Sequence, residues 1–142
     1  MMETYVALDT NVLVSAQLKP QSIPGAIVRA AQVGVVVPVI NDDILGEYCD
    51  VLFRRKFHLG QRAAAFLRKL FDISVSIQPA ALPAGVHMPD ADDAVFYATA
   101  LASRAAGYAT YLVTGNLRHF PQEEFIVSPR AMLDIIGQGA TA

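Results

Sequence analysis

The chain has 142 residues, 54% of them hydrophobic and 17% charged, and carries a formal charge of −2 at pH 7. That length and balance suit one folded domain with its own core and exclude a disordered chain. The slight negative charge excludes general electrostatic attraction for nucleic acid, so a nucleic-acid partner would need a local basic patch or a bound cation.

Strand and helix signals alternate along the chain. YVAL (5–8) reads as a buried strand and NVLVSAQL (11–18) as a short helix. PGAIVRAAQVG (24–34) reads as a helix with proline near its start and glycine at its end. VVVPVI (35–40) is β-branched and reads as a strand, with Pro38 pointing to the sheet edge or a strand end. NDDILGEYCDVLFRRKF (41–57) has Asn41 as its N-cap and acids in its first turn. GQRAAAFLRKLFD (60–72) is the next helix, and ISVSIQ (73–78) alternates as a strand should. The proline-bearing stretch 79–89 is a loop. DDAVFYATALASRAAG (92–107) is an alanine-rich helix closed by Gly107. ATYLVT (109–114) and EFIVS (124–128) are strands, PRAMLDIIG (129–137) is a last helix, and the end QGATA is expected to fray. No repeat, low-complexity tract or linker divides the chain.

This alternation predicts an α/β fold with a parallel sheet covered on both faces. In such sheets ligands bind beyond the carboxyl ends of the strands, where strand order reverses. The longest apolar run, VGVVVPVI, is far too short to cross a bilayer. No basic segment followed by an apolar one and a cleavage site opens the chain, so a cytoplasmic, membrane-free protein is expected. The one cysteine, Cys49, cannot close an internal disulfide and is expected as a small buried core residue.

Asp9 and Asn11 interrupt the first apolar run in TYVALDTNVLVSA. Asp9 is either a strand-end turn residue or a ligand at the bottom of a cleft, depending on whether other acids reach it. Asp43, Glu47 and Asp50 share a helix face. Asp43 and Asp50 suit a solvated surface, while Glu47 has apolar neighbours that place it between core and cleft. Asp90, Asp92 and Asp93 open the helix before Gly107. One would serve as a cap, but three repel one another unless a cation or donor offsets the charge. Thr114 and Asn116 follow a buried strand, where a Gly-Asn turn is the plain alternative. Carboxylates converging without Cys or His favour Mg²⁺ or Mn²⁺. His58, His87 and His119 are too dispersed for zinc.

The segments LDTNVLVSA, Glu47 in NDDILGEY, DADDAVFYATALA, YLVTGNLRHF and IVSPRAML, in that order, resemble the PIN domain. This is a small metal-dependent ribonuclease fold that includes the toxins of many prokaryotic toxin–antitoxin operons. The resemblance implies a single three-layer α/β/α domain over residues 1–136, with a flexible tail at 137–142. It implies that Asp9, Glu47 and Asp93 hold the metal, and Asp90 matches a further acid found in one branch of the family. Asp92 has no counterpart and is expected as a surface acid. Asn11 and Thr114 match supporting positions. Asn116 stands where many members have Asp, which removes one charge and puts a second metal in doubt.

The function implied is hydrolysis of RNA, with a cognate antitoxin and a second copy of the chain as partners. Arg118 and His119, beside Asn116, are the best candidates for RNA contact. Most of the basic residues in RRKFHLGQR (54–62) suit a wet helix end. Three rivals stay open: a PIN-like module that binds without cutting, an aspartyl phosphatase, and a purely structural Asp9. The phosphatase is disfavoured because Asn11 stands where Asp-x-Asp would put the second acid.

Overall fold

The computed structural model describes residues 3–141, with side chains through Gln138. Among them run strands β1 (Thr4–Leu8), β2 (Val36–Ile40), β3 (Val75–Ser76), β4 (Ala109–Val113) and β5 (Ile126–Val127). The helices are α1 (Thr10–Leu18), α2 (Ile23–Gln32), α3 (Asp42–Leu52), α4 (Gln61–Ile73), α5 (Ala91–Ala105) and α6 (Pro129–Thr141). The strands form one sheet in the order β3-β2-β1-β4-β5, and every neighbouring pair is parallel. Helices cover this sheet, α5 packing on β1, β2 and β4 and α2 and α4 on β2, giving three α/β/α layers.

β1 is central because its last residues, Val6 to Leu8, are apolar and completely or almost completely buried. It pairs along its whole length with β4, from Thr4↔Ala109 to Leu8↔Val113. The chain builds outward from β1 through β2 to β3, then returns to add β4 and β5 on the other side. Strand order therefore reverses between β1 and β4, which fixes the crevice at their carboxyl ends. Gly25 allows α1 and α2 to turn tightly, since a Cβ there would stand 2.1 Å from the Pro20 carbonyl oxygen.

Several boundaries differ from expectation, each for a physical reason. β2 is an inner strand, and Pro38 is tolerated because β3 begins to pair only at Val39. The helix expected to reach residue 57 stops at Leu52, because Phe53 and the basic run after it are exposed and have no apolar face to bury. A 3-10 turn, Arg55–Phe57, follows, and His58 closes it in the left-handed region at φ 53°. β3 and β5 shrink to two residues each, as outer strands with one neighbour. α6 continues to Thr141, so the tail expected at 137–142 is helical as far as the structure describes it, and Ala142 lies outside the described residues. Cys49 is exposed, because the buried face of α3 is Ile44, Tyr48, Val51 and Leu52, and the next position round the helix turns outward.

Asn41 ties the layers together near the crevice. It is buried, and its side-chain oxygen accepts from the Ile44 amide at 3.0 Å, the N-cap expected from sequence. Its Nδ2 donates to the Ile77 carbonyl at 3.0 Å and to Thr99 Oγ1 at 2.8 Å. One side chain thus joins β2, α3, the chain after β3, and α5. Asn41→Ala removes the cap and strands two acceptors, so it should cost about 3 kcal/mol in urea unfolding. A loss below about 1 kcal/mol would show that water replaces these bonds readily.

Candidate active site

Pairing of Leu8 with Val113 sets the next residues, Asp9 and Thr114, side by side. The Asp9 amide donates to the Val113 carbonyl at 3.0 Å, and the Thr114 hydroxyl donates to Asp9 Oδ2 at 2.7 Å. Both residues are buried. The Asp9 carbonyl accepts from the Val12 amide and starts α1. The amides of Thr10 and Asn11 face the carboxylate and favour its charge, although no closed cap hydrogen bond forms. Burial is the larger effect and pushes the Asp9 carboxyl above its ordinary range. From the other side the buried Tyr48 hydroxyl donates to the Leu8 carbonyl at 2.5 Å, so α3 grips the end of β1.

The start of α5 brings the second group of acids. Asp90 caps the helix by accepting from the Asp92 amide at 2.8 Å. Asp93 is half-buried, and burial, then the charges of Asp90 and Asp9, push its carboxyl up. Opposing them is His119, whose Nδ1 lies 3.5 Å from Asp93 Oδ2. The expectation of an acid group without histidine is therefore corrected, since the turn after Thr114 carries His119 back onto Asp93.

Glu47, on α3, meets Asp92 at the start of α5. Its carboxyl is pushed up to about 7 by burial, then by the charge of Asp92 and a side-chain hydrogen bond with it. Asp92 is exposed as expected, yet it is the acid that Glu47 meets. Asp92 also raises Asp93, so the mutual influence of the acids runs from Glu47 through Asp92 and Asp93 to Asp9. Among the described residues, no three or more His, Cys, Asp or Glu side chains stand together as a metal cage.

The supporting positions contribute mainly through backbone. Asn11 is exposed and faces Asp9 with its amide. The Asn116 amide donates to Thr114 Oγ1 at 3.0 Å, so the Thr114 hydroxyl accepts from one side and donates to Asp9 on the other. Asn116 leads into the 3-10 turn Leu117–His119, which exposes Arg118. Three residues of the basic run are already engaged. Arg54 pairs with Asp50 at 3.2 Å, Lys56 lies 5.1 Å from the Phe57 ring centroid, and Arg62 donates to the Gln17 carbonyl at 3.1 Å.

The donor chemistry fits a hard divalent cation. Asp9 and Asp93 are oxygen donors whose charges oppose each other, and a cation between them would relieve that repulsion. Mg²⁺ commonly takes one or two carboxylates, keeps several waters and completes its shell with substrate phosphate, so a protein cage is not required.

A family model described as the PIN domain matches residues 5–118, a span that holds Asp9, Glu47, Asp90, Asp93, Thr114 and Asn116. The chain belongs to the PIN domain family. This is generally a metal-dependent nuclease fold. The crystal structure of PAE2754 from Pyrobaculum aerophilum is similar, with a TM-score of 0.58 and 14% identity over 96% of this chain and 90% of that one. At that identity the likeness concerns the fold. No curated protein matches the sequence. No helix among the described residues is long and apolar enough to cross a membrane.

The raised Glu47 carboxyl makes this PIN domain sensitive to pH. The folded chain binds this proton more tightly than the unfolded chain, where Glu has its ordinary value of 4.5. The contribution to stability is complete below pH 4.5 and is lost as pH rises through about 7. In EDTA the melting temperature should therefore fall across that interval, with Asp9 and Asp93 acting in the same sense. Asp92→Asn should flatten the fall by relieving Glu47. Calorimetric melts of both proteins over the interval read this, and an unchanged slope in the variant would remove Asp92 as the cause.

Proposed function

We propose that this PIN domain is a metal-dependent endoribonuclease that hydrolyses RNA phosphodiester bonds. The observation that carries the reading is the buried Asp9, held by Thr114 at the reversal point of the sheet within reach of the Asp93 charge. In this reading Asp9 and Asp93 hold Mg²⁺ or Mn²⁺. Glu47 completes the acidic set after giving up its proton and parting from Asp92, and Asp90 adds charge from the cap of α5.

A divalent cation bound there supplies charge neutralisation for the phosphorane-like transition state and lowers the pKa of the attacking water. No side chain need be the nucleophile. Thr114 fixes the Asp9 carboxylate, and the Asn116 amide fixes Thr114. The Asn11 amide favours the charged form of Asp9, against the burial that raises it. Arg118 and His119, exposed on the adjoining turn, meet the RNA phosphate. The family resemblance further supports a cytoplasmic toxin that works as a homodimer and is silenced by a cognate antitoxin covering the cleft.

A second reading, a module that binds RNA without cutting it, draws on Asn116 in place of Asp. Calorimetric titration with Mn²⁺ separates the two. The wild type should show saturable binding, and Asp9→Asn should lose it while keeping its fold. Mn²⁺-dependent cleavage of RNA should fall in that variant by about a hundredfold or more. A folded wild type that neither binds Mn²⁺ nor cuts RNA would favour the non-cutting module.

A further inference from the structure

Beside the acids, a groove of about 640 Å³ opens between the 3-10 turn Leu117–His119 and β5, with Leu117, Arg118, Phe120 and Glu123 in its lining. Its size lies within the ~300–1,000 Å³ of clefts that hold small organic ligands. Two features set it beside the chemistry. The turn that carries Arg118 also carries His119, whose ring meets Asp93. The opposite tie is Tyr97, four residues after Asp93 and on the same face of α5. Its hydroxyl donates to Glu123 Oε1 at 3.2 Å.

Glu123 is thereby a positioned acceptor although it is exposed. Tyr97 is buried and stacks on Phe125 at 6.4 Å between ring centroids, and the Arg104 guanidinium lies 4.6 Å from the Phe125 centroid. Burial and the Glu123 charge keep the Tyr97 proton on, so it remains a donor. An ionised carboxylate only accepts, with about four lone-pair sites, so the Tyr97 bond leaves capacity for further donors.

The lining thus pairs a cation with a held acceptor across apolar walls. A nucleotide matches this pattern, with an anionic phosphate, an apolar ring and hydrogen-bond donors on its base edge. An acidic peptide would meet the charges of Glu123 and Glu124, which also lines the groove. We propose that the groove receives the nucleotide flanking the scissile phosphate, with Arg118 on its phosphate and Glu123 reading guanine; this rests on the ribonuclease reading. Guanine is favoured because its N1–H and exocyclic amine are adjacent donors that one carboxylate can accept together. Adenine and cytosine each offer an amine beside an acceptor nitrogen, and uracil offers one donor between two carbonyls. Those acceptors face the carboxylate unfavourably.

The test uses the full chain in EDTA, titrated with 5′-GMP, AMP, CMP and UMP and followed by calorimetry. Wild type should bind GMP about tenfold more tightly than UMP. Glu123→Gln should erase that preference, and Tyr97→Phe should reduce it while leaving UMP affinity unchanged. Arg118→Ala should weaken all four alike. Thermal melts confirm that each variant folds. Equal binding of the four nucleotides, no binding at millimolar concentration, or a GMP preference that survives Glu123→Gln would overturn the assignment.

Mononucleotide binding in EDTA needs neither metal nor cleavage, so the two proposals fail separately. A chain that cuts RNA without base preference keeps the enzyme and loses the groove. A chain that prefers GMP but neither binds Mn²⁺ nor cuts loses the enzyme, and with it the groove's place beside a scissile bond.

Discussion

The hydrogen bond from Thr114 to Asp9 is the constraint on which the site depends. It forms because two parallel central strands end together, and the pairing of Leu8 with Val113 leaves the next residue of each strand facing the other. A buried carboxylate is costly without strong partners. Here the partners are a hydroxyl and two nearby amides, and burial still raises the carboxyl. The fold holds the acid firmly in place without neutralising it. That condition suits a group that is to meet a cation and not merely to close a turn.

The surrounding elements enforce the same condition. Tyr48 fixes the last carbonyl of β1 from α3, Asn116 fixes Thr114 from the following turn, and Asn41 joins α3 to α5. The acids on those helices are consequently held near one another whether or not their charges agree. Burial, then the charge of Asp92, pushes Glu47 up to about 7, and His119 lies close to Asp93. A binding cation would therefore compete with protons for these carboxylates, and its affinity should rise with pH.

Much of this was legible because parallel sheets impose simple rules. Buried β-branched runs alternating with amphipathic helices predicted the layers, and the strand-end positions of Asp9 and Thr114 followed from that topology. The Asn41 cap is a local signal, legible within its own segment. What escaped depends on contacts between distant segments. Glu47 and Asp92 meet only because α3 and α5 lie together, and no spacing within either helix reveals it. Tyr48 sits at an apolar position of α3 because periodicity senses its ring, while its hydroxyl is what holds β1. His119 reads as an RNA contact too far from other histidines for zinc, and its meeting with Asp93 depends on a 3-10 turn that spacing does not reveal. Cys49 was misplaced by one position round α3, which is enough to turn a residue from core to solvent.

The charge balance also limits how RNA can approach. With a formal charge of −2 and acids gathered at the cleft, attraction for phosphate has to be local. Arg54, Lys56 and Arg62 already have partners, and a contact to phosphate would have to displace them. Arg118 differs, because it is exposed on the turn that begins where the Asn116 amide engages Thr114. The bond that fixes Asp9 therefore also sets where this cation stands. Under the ribonuclease reading, substrate drawn to Arg118 would arrive over the turn between β4 and β5, which carries His119 at Asp93 and leads on to Glu123. That reading asks the protein to place a phosphate near its acids without a basic surface.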